Sequence, residues 1–255
     1  MDVILNKKLH EYLKHIKEAN RITRITTTMY KNEKYYQNVD NTLEKLKLIK
    51  ENSYYDFVEE SNLNHDYMIN ESNPVIVENV LNGEIFKTLK NYYNENLKNN
   101  IFALGDGQSK RYYCHNEFIS RIIHFEMLNL VEKITGKKLR PTYTYLSFYI
   151  KGAELKAHLD RLECGYTCSF IIDKPEDSNW NIYVEKKTTK LNQFKSNYIP
   201  PKNECHALDC DENGLMVING ITNIHYRDIL EYDYYNVLLL HYNIIDNIDK
   251  YFSYN

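Results

Sequence analysis

The sequence predicts an α+β fold with a mainly β core, an antiparallel barrel or sandwich flanked by N-terminal helices. From residue 141 onward, short strand-like runs follow one another without long helical stretches between them, and this spacing is typical of antiparallel sheets. Before residue 73 the chain is polar, rich in charges and free of glycine and proline. Apolar residues recur there at helical spacing, which predicts amphipathic helices.

The N-terminal segment is predicted to contain two helices joined by a loop. Apolar residues from Leu5 to Ile16 recur every three or four positions, which predicts the first helix. A second helix is predicted at about 41–51, and the Tyr-, Asn- and Lys-rich stretch 28–40 is predicted to be a loop. We expect these helices to pack on the outside of a core domain. A partner-binding arm or a homodimer contact is the alternative.

A change in composition at residue 73 divides the chain into two parts. We expect an N-terminal accessory segment at residues 1–72 and a second domain at residues 73–255, with its β core beginning at about residue 141. Five cysteines, an odd number, and a start without a long apolar stretch predict a reduced, cytoplasmic protein without a signal peptide.

Ahead of the β core, the pattern predicts a short strand at residues 75–77 and a helix that begins near Gly83. Residues 103–113 contain two of the eight glycines and are predicted to form a loop, and such loops often line sites. A further helix is predicted at about 116–135, ended by Gly136. His115 and His124 flank or lie on this helix and are expected to be structural rather than metal ligands.

The β core is predicted from six runs of strand-forming residues. They cover residues 142–150, 155–160, 165–172, 181–185, 215–218 and 236–242. In the first run, Tyr143, Tyr145, Ser147 and Tyr149 fall on one face because alternate residues of a strand point the same way. The polar stretch 186–204 is predicted to be a long connection.

Charge and composition exclude some classes of protein. The net charge is −3 and the pI is near 6.3, which argues against a dedicated nucleic-acid-binding protein. No run approaches the roughly 20 apolar residues of a membrane-spanning helix. We therefore expect neither nucleic acid nor a membrane among the partners.

The residues with the clearest chemistry are His158 and Asp160, followed much later by His225. Residues i and i+2 of a strand point to the same face, so His158 and Asp160 can bind one metal together. Two imidazoles and one carboxylate, with other positions open, form the ligand set of a nonhaem Fe(II) oxygenase. The third ligand, His225, would come from a different strand.

A zinc site is one alternative, because cysteine and histidine are zinc ligands. Its residues would be Cys164, Cys168, Cys205, His206 and Cys210. Their spacings are loose for such a site. A serine hydrolase is not supported, since the sequence contains no G-x-S-x-G motif.

The chain resembles the 2-oxoglutarate- and Fe(II)-dependent oxygenases, near their prolyl-hydroxylase-like branch. The resemblance is carried by Arg111-Tyr112-Tyr113-Cys114-His115-Asn116-Glu117, Lys151-Gly152-Ala153-Glu154-Leu155, His158-Leu159-Asp160-Arg161, Glu163 through Ser169, and Gly220 through Asp228. It implies a double-stranded β-helix, or jelly-roll, core. It also implies that His158, Asp160 and His225 bind Fe(II) and that 2-oxoglutarate binds beside the metal.

In most branches of the family, an Arg or Lys about ten residues beyond the second His binds the far carboxylate of 2-oxoglutarate. That region here reads Asp233-Tyr234-Tyr235-Asn236 and has no basic residue. Arg227 is the available cation, because it should share a strand face with His225. The hydroxyl group that assists it is expected from Tyr143, Tyr145 or Tyr149, and Tyr145 is the one chosen among them. Arg161 could instead bind a carboxylate of the substrate or of the cosubstrate.

The resemblance further implies hydroxylation of a substrate C–H bond with O2, yielding succinate and CO2, with ascorbate as a supporting reductant. Related halogenases lack the ligand that Asp160 supplies, so hydroxylation is favoured over halogenation. The expected substrate is an amino-acid residue, either free or within a protein. The alternative is a jelly-roll module that binds a metal or effector without catalysis.

Overall fold

The computed structural model describes residues 32–53, 57–64 and 73–245. The helix predicted at residues 5–16 lies outside these ranges. Within the described residues, no helix is both long enough and apolar enough to cross a membrane.

Five α-helices are present in the described part of the chain. They are α1 (Glu33–Ser53), α2 (Glu60–Asn64), α3 (Gly83–Lys98), α4 (Phe118–Glu126) and α5 (Leu128–Thr135). Two short 3-10 turns, Leu191–Gln193 and Lys202–Glu204, lie in the predicted polar connection. Gly136, with φ of 63°, ends α5 as the sequence predicts, because glycine adopts this left-handed conformation easily.

Two helix predictions need correction. Residues 33–40 are helical rather than a loop, because Tyr35 and Val39 are buried where α1 packs against α3 and α4. The Tyr35 hydroxyl donates to the Glu117 carboxylate at 2.8 Å. The single helix predicted at 116–135 is two helices joined at Met127, where ψ is −7° and both helices pack on the same strand.

Eleven strands are assigned in the described residues. They are β1 (Val75–Val77), β2 (Ala103–Leu104), β3 (Arg111–His115), β4 (Leu139–Ile150), β5 (Leu155–His158), β6 (Tyr166–Asp173), β7 (Ile182–Glu185), β8 (Cys205–Leu208), β9 (Leu215–Ile218), β10 (His225–Arg227) and β11 (Tyr234–Ile244). The six strands predicted for the β core are present, as are β1, predicted at residues 75–77, and β10, which contains His225 as expected. β2, β3 and β8 were missed, and β3 replaces part of the predicted loop at 103–113.

The strands form two antiparallel sheets. The larger has the order β1-β9-β6-β11-β4-β3-β2 and the smaller the order β5-β10-β7-β8. β3 forms because it pairs with β4, and such pairing across the sheet leaves only a weak local pattern in the sequence. The predicted β-rich α+β fold with a jelly-roll core is confirmed.

The large sheet separates two hydrophobic cores. On its outer face, Leu146, Phe148 and Phe170 pack with the helices. On its inner face, Tyr149 and Ile171 pack with residues of the small sheet. Alternate residues of each strand face opposite sides, so one strand serves both cores. The inner space between the sheets contains the candidate site.

Candidate metal centre and its pocket

The two histidines of the predicted metal site are cross-strand partners. His158 ends β5 and His225 begins β10, and the two residues pair directly in the small sheet. Asp160 follows β5, and its backbone N–H donates to Gly220 O at 2.8 Å. Asp160 Oδ1 then lies 3.5 Å from His158 Nε2 and 3.6 Å from His225 Nε2. One ion about 2 Å from each atom fits between them.

Backbone carbonyls orient both imidazole rings. His158 Nδ1 lies 2.8 Å from Lys156 O, and His225 Nδ1 lies 2.9 Å from Asn223 O. A carbonyl only accepts hydrogen bonds, so each Nδ1 carries the proton and each Nε2 is left to bind a metal. The residues present therefore fit a divalent cation such as Fe(II).

The charges at the centre agree with this reading. Burial by itself would raise the pKa of Asp160, but the His225 and His158 rings lower that pKa well below its ordinary value. Burial would lower the pKa of His225, but the Asp160 carboxylate raises it. The centre holds an ionised carboxylate next to two imidazoles, and a bound cation would compensate its charge.

The second oxygen of Asp160 is held by a group that the sequence analysis missed. Thr167 Oγ1, on β6, donates to Asp160 Oδ2 at 2.5 Å and lies 3.1 Å from His241 Nδ1. A Cβ at Gly220 would overlap Asp160 Oδ2 and lie 2.9 Å from Thr167 Oγ1. Glycine at position 220 thus gives the carboxylate room. The alternation of side chains along β6 places Thr167 on the face that points into the cavity, and this alternation was the signal available in the sequence.

The metal ligands lie on the wall of a cavity of about 480 Å³ between the two sheets. Among the residues that line it are Asp106, Gln108, Arg111, Tyr113, His115, Tyr143, Tyr145, Tyr149, Arg161, Thr167, Arg227 and His241. The cavity size is typical of a small-molecule site. All residues proposed from the sequence for the metal, cosubstrate and substrate therefore meet in one cavity.

Arg227 is a buried cation in this cavity, with only 4% of its surface exposed. Its guanidinium lies 4.6 Å from the Trp180 ring centre and 5.1 Å from that of Tyr235, and it donates to Trp180 O. The neighbouring Asp228 instead pairs with Lys202 at 2.6 Å. Within the described ranges, no carboxylate forms an ion pair with Arg227. Burying a guanidinium without an ionic partner is unfavourable, and an anionic ligand in the cavity would compensate the charge of Arg227.

The three candidate tyrosines have different partners. Tyr143 Oη lies 3.0 Å from Cys164 Sγ, and the Tyr145 hydroxyl donates to Asp106. The Tyr149 hydroxyl accepts from Arg111 at 2.8 Å. Only the Tyr149 ring contacts Trp180, with 4.9 Å between ring centres, so it is the one of the three that adjoins the indole stacked on Arg227.

An ion pair between Asp106 and Arg111 attaches the loop after β2 to the barrel. Asp106 also accepts backbone N–H groups from Gln108 and Ser109. Burial would raise the pKa of Asp106, but Tyr145 and Arg111 lower it. The region is predicted from the sequence as a loop of the kind that often lines sites, and this prediction does not include the ion pair. The alternation of Arg111 with Tyr113 was a signal for an inward-facing strand.

The remaining histidines and cysteines separate into different roles. His124 is fully buried, and its Nε2 contacts His241 O at 2.8 Å, which is a structural role. His115 lines the cavity instead. Asp160, Cys164 and His241 have ligand atoms close together, but burial raises the pKa of the Cys164 thiol and disfavours the thiolate that zinc needs. Cys168 and Cys205 lie in different sheets.

No protein-family model and no curated protein matches the chain. Solved structures are similar to it. The α-ketoglutarate-dependent carbocyclase SnoK from nogalamycin biosynthesis has a TM-score of 0.52 and 14% identity over 68% of this chain and 79% of its own. The epimerase SnoN from the same biosynthesis has a TM-score of 0.54 and 10% identity over 68% and 76%.

EctD from S. alaskensis, solved with 2-oxoglutarate and 5-hydroxyectoine, has a TM-score of 0.53 and 10% identity over 69% of this chain and 74% of its own. The chain thus has the fold of the 2-oxoglutarate-dependent nonhaem oxygenases, and the expected resemblance is confirmed at the level of the fold. Because the neighbours include a carbocyclase and an epimerase, the fold by itself does not define the reaction.

Proposed function

We propose that this protein is an Fe(II)- and 2-oxoglutarate-dependent dioxygenase that hydroxylates a C–H bond of an amino acid, free or within a protein. His158, Asp160 and His225 bind the metal. The observation that carries the proposal is the pairing of this ligand set with Arg227, a buried cation in the same cavity. A module that only binds a metal does not require a buried cation such as Arg227 in the same cavity.

Each part of the cavity has a separate task in the reaction. The bound metal and 2-oxoglutarate supply the oxidising chemistry, in which O2 is consumed and succinate and CO2 are released. The carbonyls of Lys156 and Asn223 keep both ligand rings in the metal-binding tautomer. Arg227, clamped by Trp180, binds the far carboxylate of 2-oxoglutarate.

The Tyr149 hydroxyl is the group that we assign to assist Arg227. It already accepts from Arg111, so its own proton is free to be donated to a carboxylate oxygen. Tyr145 directs its hydroxyl at Asp106 and Tyr143 directs its hydroxyl towards Cys164. We therefore assign the rings of Tyr143 and Tyr145 to the wall of the part of the cavity that binds the substrate, and not to the binding of 2-oxoglutarate.

The test is succinate formation by the purified protein given Fe(II), ascorbate, O2 and 2-oxoglutarate, with and without pooled amino acids and peptides. We expect succinate that is stimulated by the pool and disappears in His158→Ala. The matched control is His206→Ala, the same change on β8 in the same sheet but outside the cavity lining.

Iron binding is measured in parallel by anaerobic titration. His158→Ala is expected to lose Fe(II) affinity while it unfolds cooperatively, since the ligand lies at a cavity wall. An enzyme whose His158→Ala variant kept full succinate formation would contradict the ligand assignment. Metal binding without 2-oxoglutarate binding or turnover would support the alternative, a non-enzymatic jelly-roll module.

A further inference from the structure

Four of the charged residues that line the cavity have an ion-pair or metal-site neighbour or an assigned ligand, and the fifth, Arg161, is exposed to solvent at the cavity wall. Asp106 forms its ion pair with Arg111, and Asp160 lies between the two metal-binding histidines. Arg227 is assigned to the cosubstrate in the proposed function. Arg161 is the remaining charged residue of the cavity lining, and none of the described acidic residues forms an ion pair with it.

Arg161 lies at the metal end of the cavity. It follows Asp160 directly in the chain, and its guanidinium stands 5.7 Å from the centre of the Tyr143 ring. The Tyr143 ring in turn lies 4.3 Å from the His241 ring. An anion held by Arg161 would therefore sit above an aromatic floor and next to the metal centre.

His115 supplies a second polar group beside this floor. Its ring lies 5.9 Å from Tyr143 and 4.3 Å from Tyr145, measured between ring centres. Its Nδ1 is buried and has no hydrogen-bond partner among the described residues. A buried polar atom without a partner is unfavourable, and a ligand in the cavity would satisfy it.

The two groups together select the charge of the ligand. Burial and the charge of Arg161 lower the pKa of His115 to about 4, so the imidazole is neutral at neutral pH. The subsite then offers one positive charge and one neutral hydrogen-bonding group. A carboxylate, which carries one negative charge and accepts hydrogen bonds, matches this set.

We propose that Arg161, Tyr143 and His115 form a subsite for the carboxylate of a small free acid of the amino-acid type. This rests on the proposed function and deepens it, because it assigns the substrate to free acids rather than to residues within a peptide chain. An internal peptide residue has no main-chain carboxylate to offer. The cavity of about 480 Å³ also has to hold 2-oxoglutarate, which favours a small substrate.

The inference is tested by binding rather than by turnover. The full chain is loaded with Mn(II) and 2-oxoglutarate without iron, and the probes are the free L-amino acids and their C-terminal carboxamides. Line broadening of probe protons by Mn(II) reports binding next to the metal. We expect at least one free acid to bind, and its carboxamide to bind about tenfold more weakly or worse, because a charge-assisted hydrogen bond is lost.

Variants separate the subsite from general charge effects. Arg161→Gln should reduce the affinity of the acid to that of the carboxamide and leave 2-oxoglutarate binding unchanged. Lys137→Gln, which removes one positive charge from an exposed position outside the cavity lining, should preserve the difference.

Three outcomes would overturn the subsite while the proposed function stands. They are equal binding of acid and carboxamide, an unchanged preference in Arg161→Gln, and failure of every free acid to bind while 2-oxoglutarate still binds. If 2-oxoglutarate itself does not bind to the Mn(II)-loaded protein, the proposed function fails and the subsite falls with it.

Discussion

At the scale of single residues, the candidate metal centre includes residues that are not among the three candidate ligands. Thr167 and Gly220 both act on Asp160, one by a hydrogen bond and the other by the space it leaves. Arg227 is the residue proposed to bind the far carboxylate of the cosubstrate. The role of each of these residues can be distinguished from a contribution to folding alone, because each substitution has a control substitution of the same type elsewhere in the chain.

Thr167→Val removes the hydroxyl that donates to Asp160 Oδ2. We expect Fe(II) affinity to fall about 10- to 100-fold, the usual effect of losing a hydrogen bond to a metal ligand, with cooperative unfolding retained. Anaerobic Fe(II) titration measures it. Thr144→Val is the control, since Thr144 Oγ1 is buried and has no hydrogen-bond partner among the described residues. Equal losses in both variants would contradict the positioning role.

Gly220→Ala places a methyl group where Asp160 Oδ2 lies. The carboxylate must move, so Fe(II) affinity should fall strongly while the alanine itself is compatible with the fold. The control is Gly83→Ala, because a Cβ at Gly83 meets nothing within 4 Å. Unchanged Fe(II) binding in Gly220→Ala would show that Asp160 does not need this position to bind metal.

Arg227→Gln removes the cation assigned to 2-oxoglutarate. The loss of a charge-assisted hydrogen bond should raise the KM for 2-oxoglutarate about 10- to 100-fold, with Fe(II) affinity nearly unchanged. Lys202→Gln is the control, since Lys202 pairs with the adjacent Asp228 at an exposed site. A KM that stays the same in Arg227→Gln would mean that another residue anchors the cosubstrate.

At the scale of elements, the segment from β2 to β3 forms one wall of the cavity. Gly105 and Gly107 have φ values of 76° and 81°, which glycine adopts readily, and the turn between them brings Asp106 onto Arg111. Ser109 Oγ donates to Glu154 O at 2.7 Å. The segment is therefore attached both to β3 and to the loop before β5.

Asp106→Ala leaves the Arg111 guanidinium buried without its carboxylate. Breaking a buried ion pair by removing one partner costs about 3–5 kcal/mol, so we expect the free energy of unfolding to fall by that order. Urea titration measures it. The double variant Asp106→Ala/Arg111→Met removes both charges and should be less destabilised than Asp106→Ala alone; additive losses would show that the pair is not coupled.

At the scale of the whole molecule, three histidines with lowered pKa values, His115, His124 and His241, make stability depend on pH in the same direction. Burial lowers the pKa of His124 well below the ordinary 6.5, and burial with the charge of Arg161 lowers that of His115 to about 4. Below pH 6.5 these histidines bind protons in the unfolded chain but remain largely unprotonated in the folded chain. Their contribution to stability is thus complete above pH 6.5 and is lost progressively as the pH falls below 6.5, in the case of His115 towards its folded pKa of about 4.

The prediction is made for metal-free protein, because the raised pKa of His225 acts in the opposite direction. The His124→Gln variant should lose less stability than the wild type between pH 7 and pH 5. Urea unfolding across this range measures the two slopes, and the contribution of His225 cancels in their difference. Parallel slopes would show that His124 does not titrate differently in the folded and unfolded states.

The predictions from the sequence succeeded where the signal was local. The alternation of β4 and the stop at Gly136 both depend on neighbouring residues. The short spacing of His158 and Asp160 also brings both to one site, although β5 ends at His158 and Asp160 lies beyond the strand. The errors fell where distant contacts decide. Residues 33–40 are helical because of packing against α3 and α4, and β3 exists because β4 pairs with it. The division at residue 73 stays a prediction, as does a homodimer through the N-terminal helices.

The sequence by itself determined the fold class and selected three candidate metal ligands, because strand periodicity and ligand chemistry both depend on residue type and spacing. Only the tertiary structure decided the surroundings of those ligands. Asp160 and Gly220 meet through the contact of segments far apart in the chain, and so do Arg227 and Trp180. Charge compensation depends on distance in space, which sequence spacing does not report. That Arg227 and Arg161 form no ion pair within the described residues became visible only in the folded chain.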